Sequence, residues 1–199
     1  FDRSLGNLDN YDTYSSKYIL DLFDSYGWTD YACGYMYGTM GFVYNPDVLK
    51  LRGYEDGDEM HWDLPWKTYS KDLGTIKDSI RDTYALAIGY VYSEELSTLR
   101  QTYLSGGLTK EAYTNQVEEI FNLTDVETVN KVTDALTVLK DNVYGFEVDS
   151  GKRDMASGKI AINFAWSGDA VYAMDIAEEE GTYLEYVVPK EGSNLFFDG

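Results

Sequence analysis

The stretch Ile160–Ala170 constrains the fold more than any other part of the chain. Ile160-Ala161-Ile162-Asn163-Phe164 is an apolar run of the length of a buried strand, and the expected strand covers 159–165. Ala165-Trp166-Ser167-Gly168-Asp169-Ala170 follows. After Gly168 the apolar residues Ala170, Val171, Met174 and Ala177 recur at spacings near three and four, the period of a helix. A chain that passes from a buried strand straight into an amphipathic helix belongs to the layered α/β class. In open α/β sheets, ligands gather at the carboxyl ends of strands. Trp166 and Asp169 stand at that place, and a π-face beside a carboxylate suits an organic cation. The plainer account is a buried Trp followed by Asp169 as helix N-cap.

The 199 residues suffice for one core, or one domain plus part of another. Sixteen basic against thirty-five acidic residues give a net charge of −19, which excludes a nucleic-acid partner and favours the approach of cations. One cysteine, Cys33, leaves no internal disulfide. With a single His as well, a zinc centre or a His-dependent hydrolase has too few ligands. The expectation is therefore no catalytic residues, no metal and no cofactor. Nineteen Tyr, eight Phe and four Trp supply rigid contact surface beyond the needs of an ordinary core. No apolar run reaches the length of a membrane span, no signal peptide is visible, and the first residue is not Met. The chain is expected to be a processed or excised part of a longer protein.

In chain order, Asn7-Leu8-Asp9-Asn10 reads as a turn and Ile19-Leu20-Leu22-Phe23 as a helical patch. Tyr35–Asn45 is a β-rich run broken by Gly38 and Gly41 and ended by Asn45-Pro46. Residues 52–72 are irregular, with Trp62 and Trp66 packing the segment down and His61 at a surface turn. Asp78 or Ser79 caps a helix carrying Ile80, Tyr84, Ala87, Ile88 and Val91, which leaves Asp82 in its first turn, where a carboxylate complements the helix dipole. Residues 94–121 are helical with a break at Ser105-Gly106-Gly107. A helix over 125–139 carries Val126, Val129, Val132, Leu136 and Leu139 as its core stripe. Met155-Ala156-Ser157-Gly158 is a short helix and its stop, and Tyr183–Val188 is a strand. Pro189-Lys190-Glu191-Gly192 then turns the chain into Leu195-Phe196-Phe197-Asp198.

Four of these stretches, in order, together resemble one family, the polyamine-binding proteins of ABC transporters. They are Tyr35–Asn45, Asp78-Ser79-Ile80-Arg81-Asp82-Thr83-Tyr84, Ala165–Ala170, and Val188-Pro189-Lys190-Glu191-Gly192 through Phe197-Asp198. The resemblance implies a two-lobed type II periplasmic-binding-protein fold, each lobe a mixed β-sheet flanked by helices. It also implies an extracytoplasmic protein, in the periplasm or at the cell surface and membrane-associated when intact, with a permease as partner. Spermidine or putrescine would be held by carboxylates and aromatic faces. Alkyl ammonium groups keep their charge at neutral pH, and burying them requires paired carboxylates. Carried over by position, Trp166 is the stacking Trp, Asp198 and Asp169 are ligand carboxylates, and Phe196 is an aromatic wall. Asp82 stands where the family usually has Glu, and Ser79 where some members carry a second Asp. Trp-x-Gly-Asp and Phe-Phe-Asp lean toward putrescine over spermidine. The same resemblance assigns residues 1–34 to a remnant of the first lobe and its crossover, and 35–199 to the second lobe, with the other lobe missing and only half a ligand cleft present.

Two other classes are compatible with the residues. A type II binding protein for ferric iron or an anion would use the abundant tyrosines or basic groups. A glycosidase-like enzyme would use two carboxylates such as Asp169 and Asp198.

Overall fold

A computed structural model describes residues 6, 8–55 and 59–199. The chain divides into two units, one running up to Thr39 and including Asn194–Gly199, the other Met40–Ser193.

In the larger unit the sheet follows the order β3-β2-β4-β1-β5, built from β1 (Met36–Tyr44), β2 (Gly74–Lys77), β3 (Gly145–Glu147), β4 (Ile162–Trp166) and β5 (Glu185–Val187). β3, β2 and β4 run parallel, with Thr75 opposite Gly145 on one side and Asn163 on the other. β1 is antiparallel to both β4 and β5. Successive side chains of a strand point to opposite faces, and each face of this sheet is apolar. Phe42, Tyr44, Ile162 and Phe164 enter one core, with Trp62, Leu86, Leu96 and Leu139. Val43 and Ala165 enter the other, with Met155, Ala170, Ala173 and Ala177. Helices therefore cover both faces, as expected for a mixed α/β sheet. α4 (Ile80–Val91), α5 (Ser93–Leu104) and α7 (Val126–Lys140) lie on the first face, α8 (Gly151–Ala156) and α9 (Ser167–Glu179) on the second. α3 (Pro46–Lys50) directly follows β1, and α6 (Lys110–Phe121) pairs with α5.

Local grammar explains most boundaries. Ser79 caps α4 through its hydroxyl, and Thr109 and Asp125 cap α6 and α7. The break between α5 and α6 falls at Gly106, whose φ is +81°, a conformation that glycine adopts without a Cβ penalty. Trp62 is buried, donates to the Gly192 carbonyl and packs its ring on Phe42 and Phe164. Trp66 stacks on Tyr90 at 4.0 Å between ring centroids. Both tryptophans thus fasten the irregular segment as expected.

Several expectations are corrected. The expected core stripe of α7 is shifted: Val126 and Val129 are exposed, whereas Thr128, Val132 and Leu139 are buried. Thr128 can face inward because its hydroxyl hydrogen-bonds both Asp125 and Tyr92. β4 starts at Ile162 and extends through Trp166, since Ile160 and Ala161 precede the pairing with β1. β5 is only Glu185–Val187, the length that β1 can pair with it. His61 is partly exposed, as a surface residue is, and its Nδ1 also lies 2.6 Å from the buried Glu191 carboxylate.

The smaller unit contains α1 (Asp9–Tyr14), α2 (Lys17–Ser25) and β6 (Leu195–Asp198). Here the first residues of β1, Met36–Thr39, pair antiparallel with β6. Asp9 and Asn10 open α1 instead of forming a turn, with Asp9 and Asp12 set against the positive end of the helix dipole. Asn7 lies outside the described residues. Ile19 and Phe23 are the buried side of α2.

Candidate ligand-binding site

The three parallel strands end on one edge of the sheet. β3 ends at Glu147, β2 at Lys77 and β4 at Trp166, and each chain continues into a helix: α8, α4 and α9. This is the carboxyl edge at which α/β sheets collect ligands.

Trp166 occupies the N-cap position of α9 and is half-buried. Asp169 is not the cap of that helix, as the plainer sequence account had it; it sits in the first turn, and no side chain caps α9. Its carboxylate faces two lysines instead. Lys152 Nζ donates to Asp169 Oδ1 at 3.2 Å, and Lys77 Nζ lies 3.7 Å from Asp169 Oδ2. Burial opposes the charge on Lys152, but the hydrogen bond to Asp169 and the charges of Asp169 and Asp149 outweigh it. They hold this ammonium above the ordinary lysine range.

Lys77 is the residue that sequence reasoning missed. Its side chain is 2% exposed. Nζ donates to Glu147 Oε1 at 3.1 Å and to the Val148 carbonyl at 3.0 Å, and sits 4.4 Å from the centre of the Trp166 ring. Glu147 is itself buried and receives further hydrogen bonds from Asn163 Nδ2 and the Gly151 amide. Asn163 also donates to the Thr75 hydroxyl. The network needs a glycine at 151, where a Cβ would stand 2.4 Å from Asn163 Nδ2 and 2.6 Å from Glu147 Oε1. An ammonium caged by two carboxylates, a carbonyl and an indole face is thus already present at the Trp166–Asp169 position. The signal for it in the sequence was slight: a lysine closing a four-residue apolar-leaning strand, Gly74-Thr75-Ile76-Lys77.

Asp82 and Ser79 belong to the same edge, at the start of α4. The Ser79 hydroxyl accepts from the Asp82 amide at 3.4 Å, so it serves as the cap. Asp82 is 3% exposed. Its Oδ1 receives Arg81 Nε at 3.2 Å, while its buried Oδ2 has no hydrogen-bond partner. A carboxylate oxygen removed from water without a donor costs free energy, and a ligand N–H could recover it.

Phe196 and Asp198 lie on β6 in the smaller unit. They share one side of the strand, with Phe196 opposite Gly38 and Asp198 opposite Met36. Asp198 is exposed, and its backbone carbonyl accepts from the Tyr35 amide. Phe196 is half-buried, and its neighbour Phe197 packs near Tyr18 and Tyr37.

A mixed sheet wrapped on both faces, with charged and aromatic groups at the carboxyl ends of its parallel strands, is an α/β layered fold whose candidate ligand edge lies at those ends. The chain belongs to the bacterial extracellular solute-binding protein family, which it matches over residues 3–199. Membership places it outside the cytoplasm, in a family of binding proteins and not of enzymes. It is 26% identical over 175 residues to the putrescine-binding periplasmic protein PotF of Escherichia coli, covering 84% of this chain and 40% of that protein. It is 27% identical over 179 residues to the putrescine-binding periplasmic protein SpuD of Pseudomonas aeruginosa, covering 85% of this chain and 41% of that one. Among solved structures it resembles PotD of Streptococcus pneumoniae, a spermidine/putrescine ABC transporter substrate-binding protein. That match has 27% identity and a TM-score of 0.58, and covers 83% of this chain and 40% of the other. The chain therefore spans about 40% of the length of the relatives it matches.

Proposed function

We propose that this chain supplies the ligand-recognising second lobe, residues 35–199, of the extracytoplasmic solute-binding component of an ABC importer, with 1–34 belonging to the first lobe and its crossover. Its ligand is a polyamine, and its partners are that first lobe and a membrane permease. The observation that carries the reading is Asp82, a buried carboxylate at the carboxyl edge with one oxygen left without a donor. An alkyl ammonium provides both the charge and the N–H groups this oxygen lacks. Trp166, on the same edge, would serve as an aromatic wall, and the relatives bearing putrescine and spermidine in their names support the ligand class. Putrescine stands ahead of spermidine because Asp169 and Phe196-Phe197-Asp198 follow the putrescine-type pattern.

Calorimetric titration of the full-length protein tests this. Putrescine should bind saturably, and Asp82→Asn should weaken binding about thirtyfold or more, equivalent to about 2 kcal/mol for a lost partner of a buried charge. Absence of binding by both putrescine and spermidine, or unchanged affinity in Asp82→Asn and Trp166→Ala alike, refutes the assignment. The 199-residue chain alone, as half a cleft, should bind weakly or not at all.

A further inference from the structure

The carboxyl edge of the larger unit holds five carboxylates, Asp78, Asp82, Glu147, Asp149 and Asp169, but most of their buried acceptor capacity is already used. Glu147 Oε1 receives Lys77 and Asn163, and Oε2 receives the Gly151 amide. Asp169 Oδ1 receives Lys152, and Oδ2 faces Lys77. The Trp166 ring carries the Lys77 ammonium at 4.4 Å. Among the described residues of this edge, the buried acceptor without a donor is Asp82 Oδ2.

We infer that Lys77 is a specificity-determining residue whose ammonium takes the place of a ligand ammonium at Trp166 and Asp169, so that the site accepts diamines and rejects triamines. This rests on the polyamine reading above. A ligand cation directed to Asp169 meets Lys77 and Lys152 at the same carboxylate, and like charges at that separation in a partly dry site repel strongly. This edge can take one ligand ammonium, at Asp82, without bringing it toward Lys77, so every further charge must be met elsewhere, and a three-charge ligand needs one more such partner than a two-charge ligand. Lys77 cannot simply swing aside into water, because leaving would strand the buried Glu147 carboxylate without its counter-ion. The exclusion is therefore fixed in the fold.

The test is titration of the full-length protein and its Lys77→Met variant with putrescine and spermidine. Because Lys77→Met leaves Glu147 unpaired, the double variant Lys77→Met/Glu147→Gln, which removes both buried charges together, is measured alongside, with folding checked by circular dichroism. The wild type should favour putrescine. In whichever variant folds, the spermidine-to-putrescine affinity ratio should rise about tenfold or more, a change of about 1.4 kcal/mol. A wild type that favours spermidine, or a ratio that moves less than about twofold in the folded variant, overturns the inference while leaving polyamine binding standing. If neither wild type nor variant binds either amine, the polyamine reading itself falls and takes this inference with it.

Discussion

Truncating Glu147 to Ala removes the strongest partner of a lysine that is 2% exposed. At 3.1 Å and an effective dielectric of about 20, the pair attracts by roughly 5 kcal/mol, and losing one member of a buried pair typically costs about 3–5 kcal/mol. Two features set where in that range this site falls. Asp169 at 3.7 Å still offers Lys77 roughly 4 kcal/mol of attraction on the same scale, which pulls the cost down. Against that, the Gly151 amide and Asn163 Nδ2 lose their acceptor at the same time, and an unsatisfied buried donor costs about 1–3 kcal/mol. The expected loss is about 4 kcal/mol, a large share of the roughly 5–15 kcal/mol that holds a domain folded. Equilibrium urea unfolding followed by tryptophan fluorescence measures it: with a slope of about 2 kcal/mol/M, the midpoint should fall by about 2 M. Lys77→Met/Glu147→Gln should recover most of that fall, since it removes both buried charges together while the glutamine oxygen can still accept from the Gly151 amide or Asn163. A midpoint shift in Glu147→Ala below about 0.5 M would refute the premise that Glu147 carries a buried charge network.

Gly89→Ala on α4 should destabilise the chain by about 1–3 kcal/mol, because its Cβ would stand 2.3 Å from the rigid indole of Trp62. Gly145→Ala, where a Cβ meets nothing within 4 Å, should stay within about 0.5 kcal/mol, and equal melting points for the two variants would contradict the packing described. The raised Lys152 ammonium fixes a sign for pH: the stability it contributes is whole below the ordinary lysine value of about 10.4 and is lost as pH rises through its higher folded value. Lys152→Met should therefore flatten part of the decline in melting temperature at alkaline pH, and an unchanged alkaline limb would show that its bond to Asp169 contributes nothing.

Legibility from sequence followed the range of the interactions. Ser79 as cap with Asp82 three residues on, the break at 105–107 and Trp166 at a strand end all depend on near neighbours, and these were readable. Lys77 was not, since a lysine at a strand end reads as solvated and its partner is 70 residues away on a three-residue strand too short for periodicity to register. His61 and Glu191, separated by 130 residues, escaped for the same reason. The shifted face of α7 has another cause: Thr128 is polar by composition, yet is buried because Asp125 and Tyr92 satisfy its hydroxyl.

The glycine at 151 ties these residues together as a unit of inheritance. A change of Lys77 to an apolar residue leaves Glu147 charged and stranded, a change of Glu147 alone strands Lys77, and any side chain at 151 collides with Asn163 and Glu147. Single substitutions at these positions each pass through a damaged intermediate, so the tolerated route is to alter them jointly. Related chains should accordingly sort into two kinds, one with Lys, Glu and Gly at these three positions and one with none of that set. Counting the mixed combinations would show how firmly the buried cation is locked into this branch of the family.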